Sequence, residues 1–333
     1  MATHRAALLH APAPIDLRPL TISTVAVPTA GPSDVLIEVG ACAVCRTDLQ
    51  ICEGDLAPRR LPIVPGHQIV GRVVAIGSDV AGVEVGMRVG VAWIAHTCGQ
   101  CRFCVTGREN LCEHARFSGW DRDGGYAEMV TADHRFVYTL PEGDDEQLAP
   151  LLCGGTIGYR CVRVAGATRG QRLGLFGFGA SATIVIQVAQ YLGCEVYVVT
   201  RSLEEQQRAR RLGAVWAGSY DESPPQPLDA AITFAPVGEV VIAALRAVDR
   251  GGTVVINAIH LDRIPEFDYD LLWWERTLRS VANVTRDDVR GLLELAPLVP
   301  LVTETDRYPL AEANQALLDL RDGRVRGAAV LTM

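Results

Sequence analysis

Leu173-Gly174-Leu175-Phe176-Gly177-Phe178-Gly179-Ala180-Ser181-Ala182 decides how the second half of this 333-residue chain folds. Four strand-forming residues run into a turn with glycine at its first and third positions. Beyond it Ile184, Val185, Val188, Ala189 and Leu192 recur at helical spacing until Gly193 ends the stripe. A strand that meets a helix through G-x-G-x-x-A is the fingerprint of a dinucleotide-binding turn. Gly177 permits the tight bend, Gly179 lets a pyrophosphate approach the backbone, and the helix start at Ala180 and Ser181 offers unpaired N–H groups to the phosphates. Ala182 replaces the third glycine but is still small. An ordinary pair of helix–sheet packing glycines is the alternative, and the residues that follow favour the binding turn.

Downstream, strands are expected at 196–200, 214–217, 230–234, 253–259 and 278–284, with helices at 203–212 and 239–248 between them. Such alternation means an α/β doubly wound parallel sheet. Helices near 287–295 and 310–320 and a strand at 328–331 close the chain. Upstream the pattern is different: residues 5–92 hold short Gly/Pro-punctuated strands, clearest at 35–39, 69–76 and 87–92, which predicts a β-rich region. The acidic run 142–146 reads as a solvated connector.

Four chemistry-bearing features sit outside the glycine turn. Gly40-Ala41-Cys42-Ala43-Val44-Cys45-Arg46-Thr47-Asp48 puts four different tools on consecutive residues. Cys45 can ligate a metal, Arg46 can hold a phosphate, Thr47 can exchange a proton and Asp48 can orient a neighbouring ligand. In Val64-Pro65-Gly66-His67-Gln68 a turn projects His67 just before a strand. Cys98, Cys101, Cys104 and Cys112 form C-x2-C-x2-C-x7-C on one loop, the spacing of a closed tetrahedral zinc site. Iron–sulfur ligation also opens with C-x2-C-x2-C, but there the fourth cysteine comes sooner and precedes proline, whereas Glu113 follows here. Cys153 heads an apolar helix-like segment, and a helix N-terminus lowers a thiol's pKa and suits it as a ligand.

Composition bounds the function. Hydrophobic residues make up 49% and charged residues 21%, a globular balance, and the length suggests two domains. The formal charge of -8 argues against nucleic acid or an anionic membrane as partner. The start has no signal-peptide core and no apolar run reaches the length of a membrane span, so a cytoplasmic protein is expected. Ten cysteines in a reducing compartment point to metal or catalysis instead of disulfides.

Taken in order, Cys45-Arg46-Thr47-Asp48, Gly66-His67, the four-cysteine loop, Cys153 and the glycine turn resemble the zinc-dependent alcohol dehydrogenases of the medium-chain dehydrogenase/reductase superfamily, over nearly the whole chain. The resemblance implies a β-rich GroES-like catalytic domain, residues 1–150 and 284–333, around an inserted Rossmann coenzyme domain, residues 151–283. It implies two zinc ions: a catalytic one on Cys45, His67 and Cys153, and a structural one on Cys98, Cys101, Cys104 and Cys112. It also puts Arg46 near the coenzyme pyrophosphate, makes Thr47 the proton acceptor and has Asp48 orient His67. The implied reaction is reversible hydride transfer between an alcohol and NAD or NADP, giving an aldehyde or ketone. Relatives usually have Glu where Gln68 stands, a histidine at Gln50 and an arginine near Ala328. Trp93, Ile94 and Trp120 are candidates for the substrate pocket. A dimer or tetramer is suggested by analogy, with 230–259 as the sheet edge that pairs.

Coenzyme choice rests on Thr200-Arg201-Ser202. NAD enzymes of this fold carry an acid at the end of the second strand for the ribose 2′-hydroxyl. Here Arg201 could pair with a 2′-phosphate while Thr200 and Ser202 donate hydroxyl hydrogen bonds, so NADP is favoured over NAD. Glu204 and Glu205 are assigned to solvent. The rival functions are a zinc-free quinone or enone reductase of the same superfamily and a coenzyme-binding zinc protein that catalyses nothing.

Overall fold

The structure, a computed structural model of the chain, describes residues 2–258, 261–299 and 301–333. Two compact units are present: Met1–Cys153 with Asn283–Pro297 and Val302–Met333, and Gly154–Ala282 with Leu298–Leu301.

The first unit opens with the antiparallel hairpin of β1 (Thr3–Leu9) and β2 (Leu20–Ala26). Then come β3 (Asp34–Ala43), α1 (Arg46–Glu53), β4 (Gln68–Ile76) and β5 (Arg88–Val91). The short pair β6 (Ile94–His96) and β7 (Arg116–Phe117) brackets the cysteine loop, and β8 (Met129–Asp133), β9 (Val137–Thr139) and α2 (Asp145–Leu148) follow. In the second unit α3 (Gly154–Ala165) precedes β10 (Arg172–Phe176), α4 (Ala180–Tyr191), β11 (Glu195–Val199), α5 (Leu203–Arg211), β12 (Trp216–Gly218), β13 (Leu228–Thr233), α6 (Gly238–Ala247), β14 (Val248–Ile256) and β15 (Thr277–Ser280). The chain then returns to the first unit for α7 (Arg286–Leu295), β16 (Thr305–Pro309), α8 (Ala313–Arg321) and β17 (Ala328–Thr332).

The first unit's main sheet runs β16-β17-β3-β4-β5-β9, with β8 also on β3. Strand β3 alternates buried and exposed residues at first, with Val35, Ile37 and Val39 inside. From Ala41 to Val44 burial is continuous, because β4 and β17 flank this end of the strand. That enclosed end delivers Cys45 to the start of α1.

In the second unit six parallel strands are ordered β12-β11-β10-β13-β14-β15, the arrangement of a dinucleotide-binding sheet. Both faces are covered, which explains the near-continuous apolar strands: Val196 and Val198 join one core, Tyr197 and Val199 the other. Helices α3 and α4 approach closely at Gly158, where a Cβ would lie 2.4 Å from Val185 Cγ2.

Four expectations are corrected. Residues 230–259 do not form the sheet edge: β13 and β14 are interior, and the open edges are β12 and β15. Within the expected strands 253–259 and 278–284, pairing ends at Ile256 and Ser280; Ile259 lies outside the described residues, and Asn283 takes a left-handed turn at φ 54°. Residues 151–153 belong to the first unit, because the 3-10 turn Ala149–Leu152 is buried and packs Leu152 against Gly90 of β5. The acidic run 142–146 is solvated only in part: residues 142–144 are exposed, but Arg88 Nε donates to Asp145 at 2.6 Å and Glu146 is buried in α2.

Candidate metal centres and coenzyme turn

Cys45, His67 and Cys153, each from a different part of the first unit, converge until one donor atom of each lies within 4.8 Å of the other two. Cys45 is the N-cap of α1, His67 immediately precedes β4, and Cys153 follows the buried 3-10 turn. The two sulfurs are 4.0 Å apart. Zinc–sulfur bonds of about 2.3 Å in a tetrahedron give S···S edges of about 3.8 Å, so the donor set fits a zinc ion with one position left over.

Asp48, fully buried in the first turn of α1, organises this cluster. Its Oδ1 is 2.9 Å from His67 Nδ1, which leaves Nε2 for the metal, and accepts from Gly66 N at 3.2 Å. Its Oδ2 accepts from Cys45 N at 2.9 Å and from the Tyr126 hydroxyl at 3.1 Å. Gly66 must be glycine: its φ is 98° and a Cβ would lie 2.4 Å from Tyr126 Cδ1. Tyr126 was not among the residues the sequence singled out for the site. Its place in Asp123-Gly124-Gly125-Tyr126, a turn leading toward a strand, was the available signal.

The three donors of the cluster differ in how readily they hold a proton. The contact with Cys153 pulls the Cys45 thiol well below its ordinary range despite burial, and His67 adds to the effect. Burial opposes charge on His67, yet Asp48 and Cys45 outweigh it and push its pKa up to about 10. Cys153 goes the other way, raised first by the bond to Cys45 and then by burial.

Thr47 lies two residues past Cys45 and is buried, Arg46 is exposed, and Gln68 is buried and pairs with Ala43. Trp93 meets His67 edge-on, with ring centroids 4.9 Å apart, and stacks with Phe117 and Trp120. Ile94 is core in the cysteine lobe.

That lobe is a local construction. Cys101 and Cys104 sulfurs are 3.5 Å apart, Cys98 and Cys112 3.6 Å, and Cys98 and Cys104 3.9 Å, close to tetrahedral zinc–thiolate edges. Backbone N–H groups of Gln100 and Cys101 aim at Cys98 and pull its thiol down to about 6. Cys104 is pushed up to about 12, first by burial and then by its sulfur neighbours. Among the described residues no disulfide joins any two cysteines.

In the second unit Gly177, at φ 91°, bends away from the carboxyl end of β10, and Gly179 caps α4 with open space where a Cβ would be. This turn sits beside the switch point between β10 and β13, where dinucleotides bind in such sheets. Ala182 is fully buried and Ala180 half-buried, while Ser181 Oγ lies toward Gly154 of α3. At the end of β11, Arg201 is exposed. Thr200 is buried and donates its hydroxyl to Glu205, so that hydroxyl is already committed and Glu205 is not left to solvent. Ser202 caps α5, accepting from Glu205 N at 3.2 Å.

Residues 31–142 match the alcohol dehydrogenase GroES-like domain, and residues 182–297 the zinc-binding dehydrogenase domain. The "Probable alcohol dehydrogenase AdhA" of Mycobacterium tuberculosis is 48% identical, over 99% of this chain and 97% of that protein. The chain belongs to the zinc-dependent alcohol dehydrogenase family. An alcohol dehydrogenase of Geobacillus stearothermophilus is 32% identical over 94% of this chain and 96% of its own length. The cobalt- and zinc-bound thermostable alcohol dehydrogenase of Pyrobaculum aerophilum shares the fold, with a TM-score of 0.90, 24% identity and full coverage of both chains. Membership of this family makes the chain an oxidoreductase with a GroES-like and a Rossmann-type domain. Among the described residues no helix is long and apolar enough to cross a membrane.

Proposed function

We propose that this protein is a zinc alcohol dehydrogenase that interconverts an alcohol and its aldehyde or ketone with NADP as hydride carrier, holding two zinc ions per chain. The observation that carries the reading is the convergence of Cys45, His67 and Cys153, with Thr47 buried two residues past Cys45 and Asp48 already occupying the far nitrogen of His67. Zinc bound to these three donors would supply Lewis-acid activation, making an alcohol hydroxyl far easier to deprotonate. Asp48 orients His67 and fixes its tautomer. Thr47 would accept the alcohol's hydroxyl proton while passing its own hydroxyl proton on to solvent, and a bound nicotinamide would supply the hydride acceptor for the carbinol carbon. The balance is alcohol plus NADP+ to carbonyl, NADPH and a proton.

Arg46 is assigned to the coenzyme pyrophosphate, and Gly177, Gly179, Ala180 and Ser181 to the phosphate turn. Support for NADP comes from the exposed Arg201 at the end of β11, together with the engagement of the Glu205 carboxylate by Thr200. Cys98, Cys101, Cys104 and Cys112 are assigned to a zinc ion that staples their loop. For self-association we propose the open edge of β15, beside the exposed Tyr269, Trp273 and Trp274. Metal analysis combined with an alcohol panel and both coenzymes tests the reading. Two zinc ions per chain with alcohol-dependent NADP reduction is the expected result; reduction of quinones or enones without zinc would assign the rival activity, and no turnover with both metals loaded would leave a binding protein.

A further inference from the structure

Trp93 lies just beyond β5, yet what holds its indole is a residue 190 positions away: Nε1–H donates to Asn283 Oδ1 at 3.0 Å. The other end of the same amide is also engaged. Asn283 Nδ2 donates at 3.1 Å to the carbonyl of Asn110, which lies in the 3-10 turn Glu109–Leu111 leading into Cys112. One side chain therefore bridges the cysteine lobe and the ring that stands edge-on to His67, with planes crossing at 68°.

Two further observations show a built arrangement. The backbone at Asn283 is left-handed, φ 54°, a conformation asparagine accepts better than most residues. Its location does not depend on its own side chain, because Arg286 docks the same segment on the lobe: its N–H donates to Glu109 Oε1 at 2.8 Å and its Nε at 3.0 Å.

We propose that Asn283 is a positioning residue: it clamps Trp93 against His67 and pins it to the cysteine lobe, so that the width of the space beside the metal donors is set by the lobe. The inference rests on the assignment of Cys45, His67 and Cys153 as the centre where alcohol binds. Losing the clamp frees the indole to rotate, and a bulky alcohol feels this more than a small one.

Asn283→Gly tests the clamp, since glycine accepts the left-handed backbone and deletes both side-chain bonds. Trp93→Phe keeps an aromatic ring beside His67 while removing the indole N–H together with the bulk of the second ring. Both are compared with the zinc-loaded wild-type chain. In 15N–1H spectra the indole N–H signal of Trp93, identified by its loss in Trp93→Phe, should move in Asn283→Gly, and its hydrogen exchange should accelerate by about fivefold or more. The ratio of kcat/KM for benzyl alcohol to that for ethanol should shift by about fivefold in Asn283→Gly, and adding it to Trp93→Phe should produce no further shift. An unmoved indole signal, or effects on the ratio that simply add, would overturn the clamp. Absence of any alcohol oxidation would instead sink the dehydrogenase reading, and the indole signal, which needs no turnover, would still decide the clamp.

Discussion

Cys98, Cys101, Cys104 and Cys112 come from one stretch of chain, and three of the four are only half-buried, whereas Cys45 and Cys153 stand 108 residues apart around a histidine that is 1% exposed. The lobe draws its sulfurs together with its own backbone, such as the Cys101 N–H aimed at Cys98 Sγ at 3.4 Å. Its other supports are a small apolar core and the ties of Asn110 and Glu109 to Asn283 and Arg286, and a metal ion on the four sulfurs would close the loop. In the triad the frame is supplied beforehand: β3, β4 and the Asp48 hydrogen bonds fix the donors through the unit's core. A metal in the lobe should therefore act on stability, and one in the triad on chemistry.

The largest effect that would test this contrast is at the triad itself. Cys45→Ser or His67→Ala should take zinc content from about two ions per chain to about one and abolish nearly all turnover, with far-UV circular dichroism unchanged. Cys101→Ser should do the reverse, lowering Tm by about 10 °C while the folded fraction still oxidises alcohol. If each change acted on stability alone, the division of labour would be wrong. Thr47→Ala should retain both metals and slow turnover by roughly 10²–10⁴, the worth of a positioned proton acceptor, measured under saturating alcohol. A fully active variant would remove Thr47 from the reaction.

Finer tests sharpen the same boundary. Tyr126→Phe removes one of the donors to Asp48 and should weaken zinc at the triad by about tenfold in a chelator competition, leaving the lobe's affinity unchanged. Glu109→Gln addresses the lobe's tie to α7. Burial opposes the charge on Glu109, but its bonds to Arg286 prevail and hold its pKa below the usual carboxylate value of 4.5. The stabilisation is thus complete above 4.5 and disappears as pH falls through the lower folded-state value. The variant should be less stable by about 1.5–3 kcal/mol near neutrality, with the gap closing in acid. A pH-independent difference in Tm would mean that the ion pair is not its cause.

The parts of this molecule that were legible in the chain are those whose causes are local. Helical spacing from Ile184 to Leu192 after a two-glycine turn dictates strand–turn–helix, and four cysteines on one loop bring their sulfurs together, because neighbours in sequence are neighbours in space. The alternation of strands and helices beyond Gly193 likewise fixes a parallel sheet, since parallel strands need crossovers. Boundaries and edges were not legible in the same way. Strand β14 is apolar on either reading, and only the pairing of β15 beside it shows that β14 is interior.

At the site, the sequence by itself determined which groups are available: a thiol, a hydroxyl and a carboxylate from Cys45 to Asp48, an imidazole at His67 and a second thiol at Cys153. The tertiary structure decided which of them act together and who holds them. Tyr126 bonding to Asp48, Thr200 committed to Glu205, and Asn283 joining Trp93 to Asn110 each depend on side chains whose separation is set by packing and not by spacing along the chain.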